Sequence, residues 1–168
     1  YLVRKDRRLI ALENLKAAFG EGRDEELYRI IRNIFRNLGM SFIEVLRFPW
    51  MDAKYIERHI RLEGLNRIDE ALKGSRGVIL LTGHFGNWEL SGWTISASGY
   101  KAKVLAREQK LVRLNSLLDS YRELNGSRVI PKKRAVREII KGLNKNEIVG
   151  ILADQDGGRN GVFVNFFG

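Results

Sequence analysis

The sequence predicts an α/β protein in which amino-terminal helices precede strands and helices alternating around a largely parallel sheet. Three observations predict it. Leu27, Ile30, Ile31, Ile34, Phe35, Leu38, Phe42, Val45 and Leu46 recur at three- and four-residue steps, the period of a helix with one apolar stripe. From about Arg58 the pattern changes to short apolar runs of strand length, separated by longer segments that mostly end at glycine. The 168-residue chain, 44% hydrophobic and 30% charged, also has the composition of a globular domain large enough to bury a core.

The elements follow in order. Arg7 to Phe19 forms the first helix, closed by Gly20, which suits a left-handed cap. Asp24 caps the second helix, and its stripe marks a core-facing element. Phe48-Pro49 ends it, because proline bars the residue before it from helical angles. His59 to Glu63 is expected as a strand, and Leu65 to Lys73 as a helix stopped by Gly74. Val78 to Thr82, Lys103 to Arg107, Arg128 to Ile130 and Ile148 to Ala153 are the main strands. Trp88 to Ser98, Leu111 to Leu124 and Ala135 to Leu143 are the helices between them, and a last strand is expected from Val162. With no repeat, linker or low-complexity tract, residues 1–168 are expected to form a single domain.

A formal charge of +10 and a pI near 10.1 favour polyanionic partners: nucleic acid, anionic lipid headgroups or an acidic protein. The absence of cysteine excludes disulfides, thiolate metal sites and thiol nucleophiles, and suits a reducing compartment. No apolar run approaches the roughly 18 residues needed to span a bilayer, and no signal peptide is visible. The chain starts at Tyr1 and breaks off in the apolar stretch Val162 to Gly168, so it is expected to be part of a longer protein.

Two loops at the carboxyl ends of predicted strands hold the residues capable of chemistry, the edge where open α/β sheets bind ligands. One is Gly83-His84-Phe85-Gly86-Asn87-Trp88-Glu89, which carries one of the chain's two histidines. The other is Asp154-Gln155-Asp156-Gly157-Gly158. A neutral imidazole is the side chain best suited to take a proton from a hydroxyl near pH 7. A carboxylate on its other ring nitrogen would fix the tautomer and stabilise the imidazolium. Five residues around one regular helix would part the two side chains. The spacing works with His84 on the turn and Glu89 at the start of the following helix. Gly83 and Gly86 permit such a turn. The free N–H groups of the helix start could hold a phosphate or an oxyanion. A bare His-x4-Glu most often joins a hydrogen-bonded loop histidine to a solvated acid; its position after a buried strand and between glycines opens the catalytic reading. His59, in a polar setting, is read as structural.

Gly83-His84-Phe85-Gly86-Asn87-Trp88-Glu89 resembles the His-x4-Asp/Glu signature of the bacterial late lipid A biosynthesis acyltransferases, the lauroyl- and myristoyl-transferase type within the lysophospholipid acyltransferase superfamily. The resemblance runs over most of the chain. Asn14-Leu15-Lys16-Ala17-Ala18-Phe19-Gly20 is similar to the family's amino-terminal stretch, and Asn37-Leu38-Gly39 through Glu44 fits its next helix. Arg107 falls where the family has an arginine after a strand, with Glu108 in place of the usual proline. Asp154-Gln155-Asp156-Gly157-Gly158 and Gly161 to Gly168 are similar to a further conserved block, in which Asn165 replaces a common proline.

The resemblance implies a glycerol-3-phosphate acyltransferase-like fold. It also implies transfer of a fatty acyl chain from a thioester on acyl carrier protein to a hydroxyl of a lipid A precursor. His84 would be the general base, oriented by Glu89, with Asp154 or Asp156 as a further catalytic acid. Arg107 would clamp substrate charge, and Gly83, Gly86 and Asn87 would line the substrate site. No cofactor and no metal are implied. The partners implied are acyl carrier protein, a membrane glycolipid and an anionic membrane surface, with no nucleic acid. The location implied is the cytoplasmic face of the inner membrane, with an anchor before Tyr1 and more of the protein after Gly168. The basic groups Lys101, Lys103, Lys110, Arg113 and Lys132, Lys133, Arg134, Arg137 are candidate contacts for the acidic carrier and lipid phosphates.

Other acceptors, whether a different glycolipid or a lysophospholipid, fit the same residues. Asp154-Gln155-Asp156 is also an Asp-x-Asp, the pattern by which glycosyltransferases hold a metal and a nucleotide-sugar, though so short a pattern often arises by chance. A basic binding module for an anionic surface would explain the charge but leaves His84 and Glu89 without a role.

Overall fold

The computed structural model describes residues 5–106, 111–132, 135–155, 158 and 161–165. The chain groups into two compact units, Tyr1–Phe48 and Pro49–Gly168.

In the first unit, α1 (Lys5–Phe19) packs along α2 (Asp24–Leu46). The apolar stripe of α2 is covered only in part. Leu27, Ile31 and Val45 are buried, whereas Ile34, Leu38 and Phe42, on the same face, are 47%, 52% and 49% exposed. Length explains part of this difference from the expected core-facing helix. At about 1.5 Å per residue, the 15-residue α1 cannot line the whole of the 23-residue α2.

A 3₁₀ turn, Phe48–Trp50, leads from the first unit into the second, which continues with α3 (Ala53–His59). The strand expected over His59–Glu63 does not form. Residues 60–63 carry no regular structure, and α3, which Asp52 starts by accepting the Tyr55 N–H on Oδ1 at 2.8 Å, ends at His59. His59 ends this helix and stacks on Tyr55, with ring centroids 4.6 Å apart. After α4 (Leu65–Leu72) the chain alternates β1 (Val78–Thr82), α5 (Trp88–Ala97), β2 (Ala102–Ala106), α6 (Val112–Glu123), β3 (Arg128–Pro131), α7 (Ala135–Leu143) and β4 (Ile148–Leu152). The described residues 161–165 form no strand, in contrast to the one expected from Val162.

The four strands pair in parallel in the order β1-β4-β2-β3. The crossover through α5 therefore leaves a gap between β1 and β2 that the last strand fills. Ile148 and Val149 on this inner strand are 1% and 0% exposed, joined in the core by Ala102, Ile130 and Trp93. Thr82 pairs with Leu152, and the Ala153 N–H donates to the Thr82 carbonyl at 3.1 Å. The loops after β1 and β4 consequently leave the sheet side by side.

At the opposite end of the sheet, Gly77 stands at φ +68°, where a Cβ would meet Leu143 Cα at 2.6 Å. Only glycine lets the end of α7 lie so close to the start of β1. Lys103 is 6% exposed, with Nζ 3.3 Å from Glu147 Oε2 and 3.7 Å from Glu138 Oε2. It is an internal ion-pair residue and not part of a basic surface group. A buried ammonium is tolerable only when paired in this way. Lys110, Lys133 and Arg134 lie outside the described residues.

Candidate active site

The site is built where β1 and β4 end. Gly83 follows β1, and a Cβ there would lie 3.0 Å from Asp154 Oδ2 and 3.1 Å from its Cγ. Glycine is what lets the carboxylate approach the chain. The His84 N–H donates to Asp154 Oδ2 at 2.7 Å, and His84 Nδ1 lies 2.8 Å from Asp154 Oδ1. One carboxylate thus grips both the backbone and the ring of one histidine, across 70 positions of sequence.

The protonation pattern follows from the geometry. The side-chain hydrogen bond from His84 first, then the one from its backbone, holds the Asp154 carboxyl below the usual carboxylate range. An ionised carboxylate accepts only, so Nδ1 must carry the ring proton and donate it. In the neutral ring the lone pair is then on Nε2. Both side chains are 32% exposed, open enough for a substrate hydroxyl to arrive.

The turn after His84 is set by Gly86 at φ +60°, an angle that side-chain-bearing residues resist. Asn87 then caps α5, its Oδ1 accepting the Leu90 N–H at 3.0 Å. Trp88 is the first helical residue, and its ring meets the His84 imidazole edge-on at 4.8 Å. Gly83, Gly86 and Asn87, expected at the substrate, therefore also shape the loop itself.

The bond that was expected from Glu89 comes from Asp154. Glu89 instead faces α6, where Arg122 donates to it through Nε at 2.8 Å and through a terminal nitrogen at 2.5 Å. Arg122 also donates to Asp119 at 2.9 Å, and Asp119 accepts from Asn115 at 2.8 Å. Burial would lower the guanidinium pKa, but the bonds to Glu89 and Asp119 outweigh it and raise it. The physical reason for the exchange is topological. The first turn of α5 leans on α6, while the neighbour of the β1 loop is β4, which brings Asp154.

Arg107 and Asp156 lie outside the described residues. The role of Arg122 was not visible in the sequence. Asp119 and Arg122 are an ordinary i,i+3 helix pair, and no local pattern links them to Glu89, 33 residues away. Among the described residues, no three His, Cys, Asp or Glu side chains gather as metal ligands would.

A parallel α/β sheet with a carboxylate-held histidine at its carboxyl edge is an arrangement suited to proton abstraction from a hydroxyl. Residues 1–168 match the family described as bacterial lipid A biosynthesis acyltransferase, and the chain belongs to that family. It is 31% identical over 137 residues to a phosphatidylinositol mannoside acyltransferase of Mycobacterium tuberculosis (strain CDC 1551 / Oshkosh), covering 77% of this chain and 43% of that protein. It is 28% identical over 165 residues to the lipid A biosynthesis palmitoleoyltransferase of Escherichia coli (strain K12), covering 97% and 53%. To the lipid A biosynthesis lauroyltransferase of the same strain it is 26% identical, again over 97% and 53%. The chain thus spans about half the length of the curated relatives it matches.

Proposed function

We propose that the protein transfers a fatty acyl chain from a thioester on acyl carrier protein to a hydroxyl of a lipid A precursor. The observation that carries this reading is the His84–Asp154 pair at the carboxyl edge of the sheet, in a chain of the acyltransferase family. His84 Nε2 takes the hydroxyl proton as the oxygen attacks the thioester carbonyl carbon. Asp154 holds the tautomer and stabilises the imidazolium that results. As the tetrahedral intermediate collapses, the carbon–sulfur bond breaks, and the imidazolium returns its proton to the departing thiolate. The atoms balance with no covalent acyl-enzyme.

Glu89 contributes in this reading by fixing α5 against α6 through Arg122, which sets the floor of the histidine loop. Arg107 as a clamp on substrate charge and Asp156 as a second site acid complete the proposed machinery. Work at the cytoplasmic face of the inner membrane, against an anionic lipid surface, agrees with the +10 charge. No described helix is long and apolar enough to cross a membrane.

The test is an in vitro transfer assay with the full-length protein, acyl carrier protein thioester and two acceptors, a lipid A precursor and a phosphatidylinositol mannoside. Products are read by mass spectrometry. Acylated lipid A precursor, lost in His84→Ala, is the expected result. Acylation of the mannoside alone would replace the acceptor, and transfer undiminished in His84→Ala would overturn the mechanism.

A further inference from the structure

The carboxylate of Asp154 fixes only part of what a general base needs. It anchors Nδ1 of His84 at one point, 2.8 Å away. The ring can still pivot about that bond, and the pivot swings Nε2, the nitrogen that must meet the hydroxyl. A second contact has to hold the ring plane.

Trp88 is placed to be that contact. Its centroid lies 4.8 Å from that of the imidazole, with the rings inclined at 66°. Edge-to-face pairs at about 4.5–7 Å are favoured by the charge distribution of aromatic rings. The origin of the Trp88 side chain is itself fixed, since α5 starts at this residue and Asn87 caps the helix beside it. His84 reaches the ring across the turn that Gly86 makes at φ +60°.

We infer that Trp88 is a positioning residue which sets the plane of the His84 imidazole and so aims Nε2. Asp154 and Trp88 act on different properties of the ring, one on the tautomer and one on the orientation. The inference rests on the reading of His84 as the general base. It does not place Trp88 against substrate.

The experiment compares Trp88→Leu, Trp88→Met and Trp88→Phe with His84→Ala in the full-length protein. It reads kcat and KM for acyl transfer, together with nitrogen-15 spectra of the His84 ring assigned through the His84→Ala variant. Misplacement of a catalytic group by about 1 Å costs roughly a hundredfold, so Trp88→Leu and Trp88→Met should lower kcat about ten- to a hundredfold. KM should stay within about twofold, since substrate binding is untouched. The His84 ring signals should keep the tautomer that Asp154 sets but broaden, as the ring samples more than one orientation. Trp88→Phe should restore both the rate and the ring signals. Wild-type kcat in Trp88→Leu or Trp88→Met overturns the inference, and so does a loss of kcat with His84 ring signals unchanged. If Trp88→Leu does not fold, the Met and Phe variants decide by the same criteria. An inactive His84→Ala beside a fully active Trp88→Leu would sink the Trp88 role alone. An active His84→Ala would remove the base and, with it, this inference.

Discussion

Two acid–base pairs begin five residues apart in the chain, at His84 and Glu89, and they differ in exposure and in what they leave unbonded. His84 and Asp154 meet at a loop edge with both side chains 32% exposed. Glu89 and Arg122 meet between two helices, with side chains 20% and 14% exposed and two nitrogen–oxygen bonds in fork geometry. Among the described residues, the first pair leaves one ring nitrogen without a hydrogen bond. The second uses two donors on both carboxylate oxygens and has little room for a further group. Paired charges that are closed off serve architecture, because leaving either one alone is costly. A pair left half open can exchange a proton with something that arrives.

The sharpest way to break this contrast is to remove the open pair. His84→Ala should lower acyl transfer by about 10²–10⁴, the usual worth of a general base, while the protein still folds cooperatively with only a small drop in melting temperature. Asp154→Asn should fall in the same range, because an amide offers one accepting oxygen where the carboxylate offers two, and its NH2 can donate to Nδ1 and hold the wrong tautomer. Circular dichroism melts beside single-turnover rates check both. A wild-type rate in either variant would show that the open pair is not the reaction centre.

The closed pair should answer in the opposite currency. Glu89→Ala strands a partly buried guanidinium and should destabilise the protein by about 1.5–3 kcal/mol, the worth of hydrogen bonds to charged groups. Arg122→Met should cost a similar amount. The double variant should cost less than the sum, with a coupling of about 0.5–3 kcal/mol. Urea melts of the four proteins form the cycle. Strict additivity would mean the fork contributes nothing to the fold.

A smaller effect concerns pH. In the folded protein the bonds from His84 hold the Asp154 carboxyl below its ordinary value near 3.8. A depressed carboxylate contributes stability that is complete above the unfolded value and is lost as pH falls through the folded one. Below about pH 3.8 the wild type should therefore lose stability more steeply with falling pH than Asp154→Asn. Parallel acid limbs in thermal melts would contradict this. The smallest expected effect is none at all. Excess EDTA should leave transfer unchanged, whereas loss of activity restored by Mg²⁺ or Mn²⁺ would revive a metal role for Asp154-Gln155-Asp156.

Most of the secondary structure was legible along the chain because its signals are local. The strand Val78–Thr82 and the helix Ala135–Leu143 have the same bounds in the structure as their apolar patterns predict. Glycines at positions 20 and 99 stand at positive φ just where helices stop. His59–Glu63 misled because a strand needs a neighbour as well as a local pattern: α3 ends at His59, and residues 60–63 pair with no described strand. The α2 stripe showed which face is apolar but not how much of it a shorter partner covers.

The sequence by itself determined that His84 and Asp154 each lie in a loop just after a strand, and that glycines at 83 and 86 permit a tight loop after β1. It could not say which strands are neighbours. That depends on where β4, the last described strand, inserts, and its insertion between β1 and β2 is a property of the assembled sheet. Tertiary structure therefore decided that the carboxylate on His84 comes from 70 residues away, and that Glu89, five residues away, is taken by Arg122. Turns and caps are short-range and can be read locally, whereas the partner of a charged side chain is chosen by whichever element packs beside it.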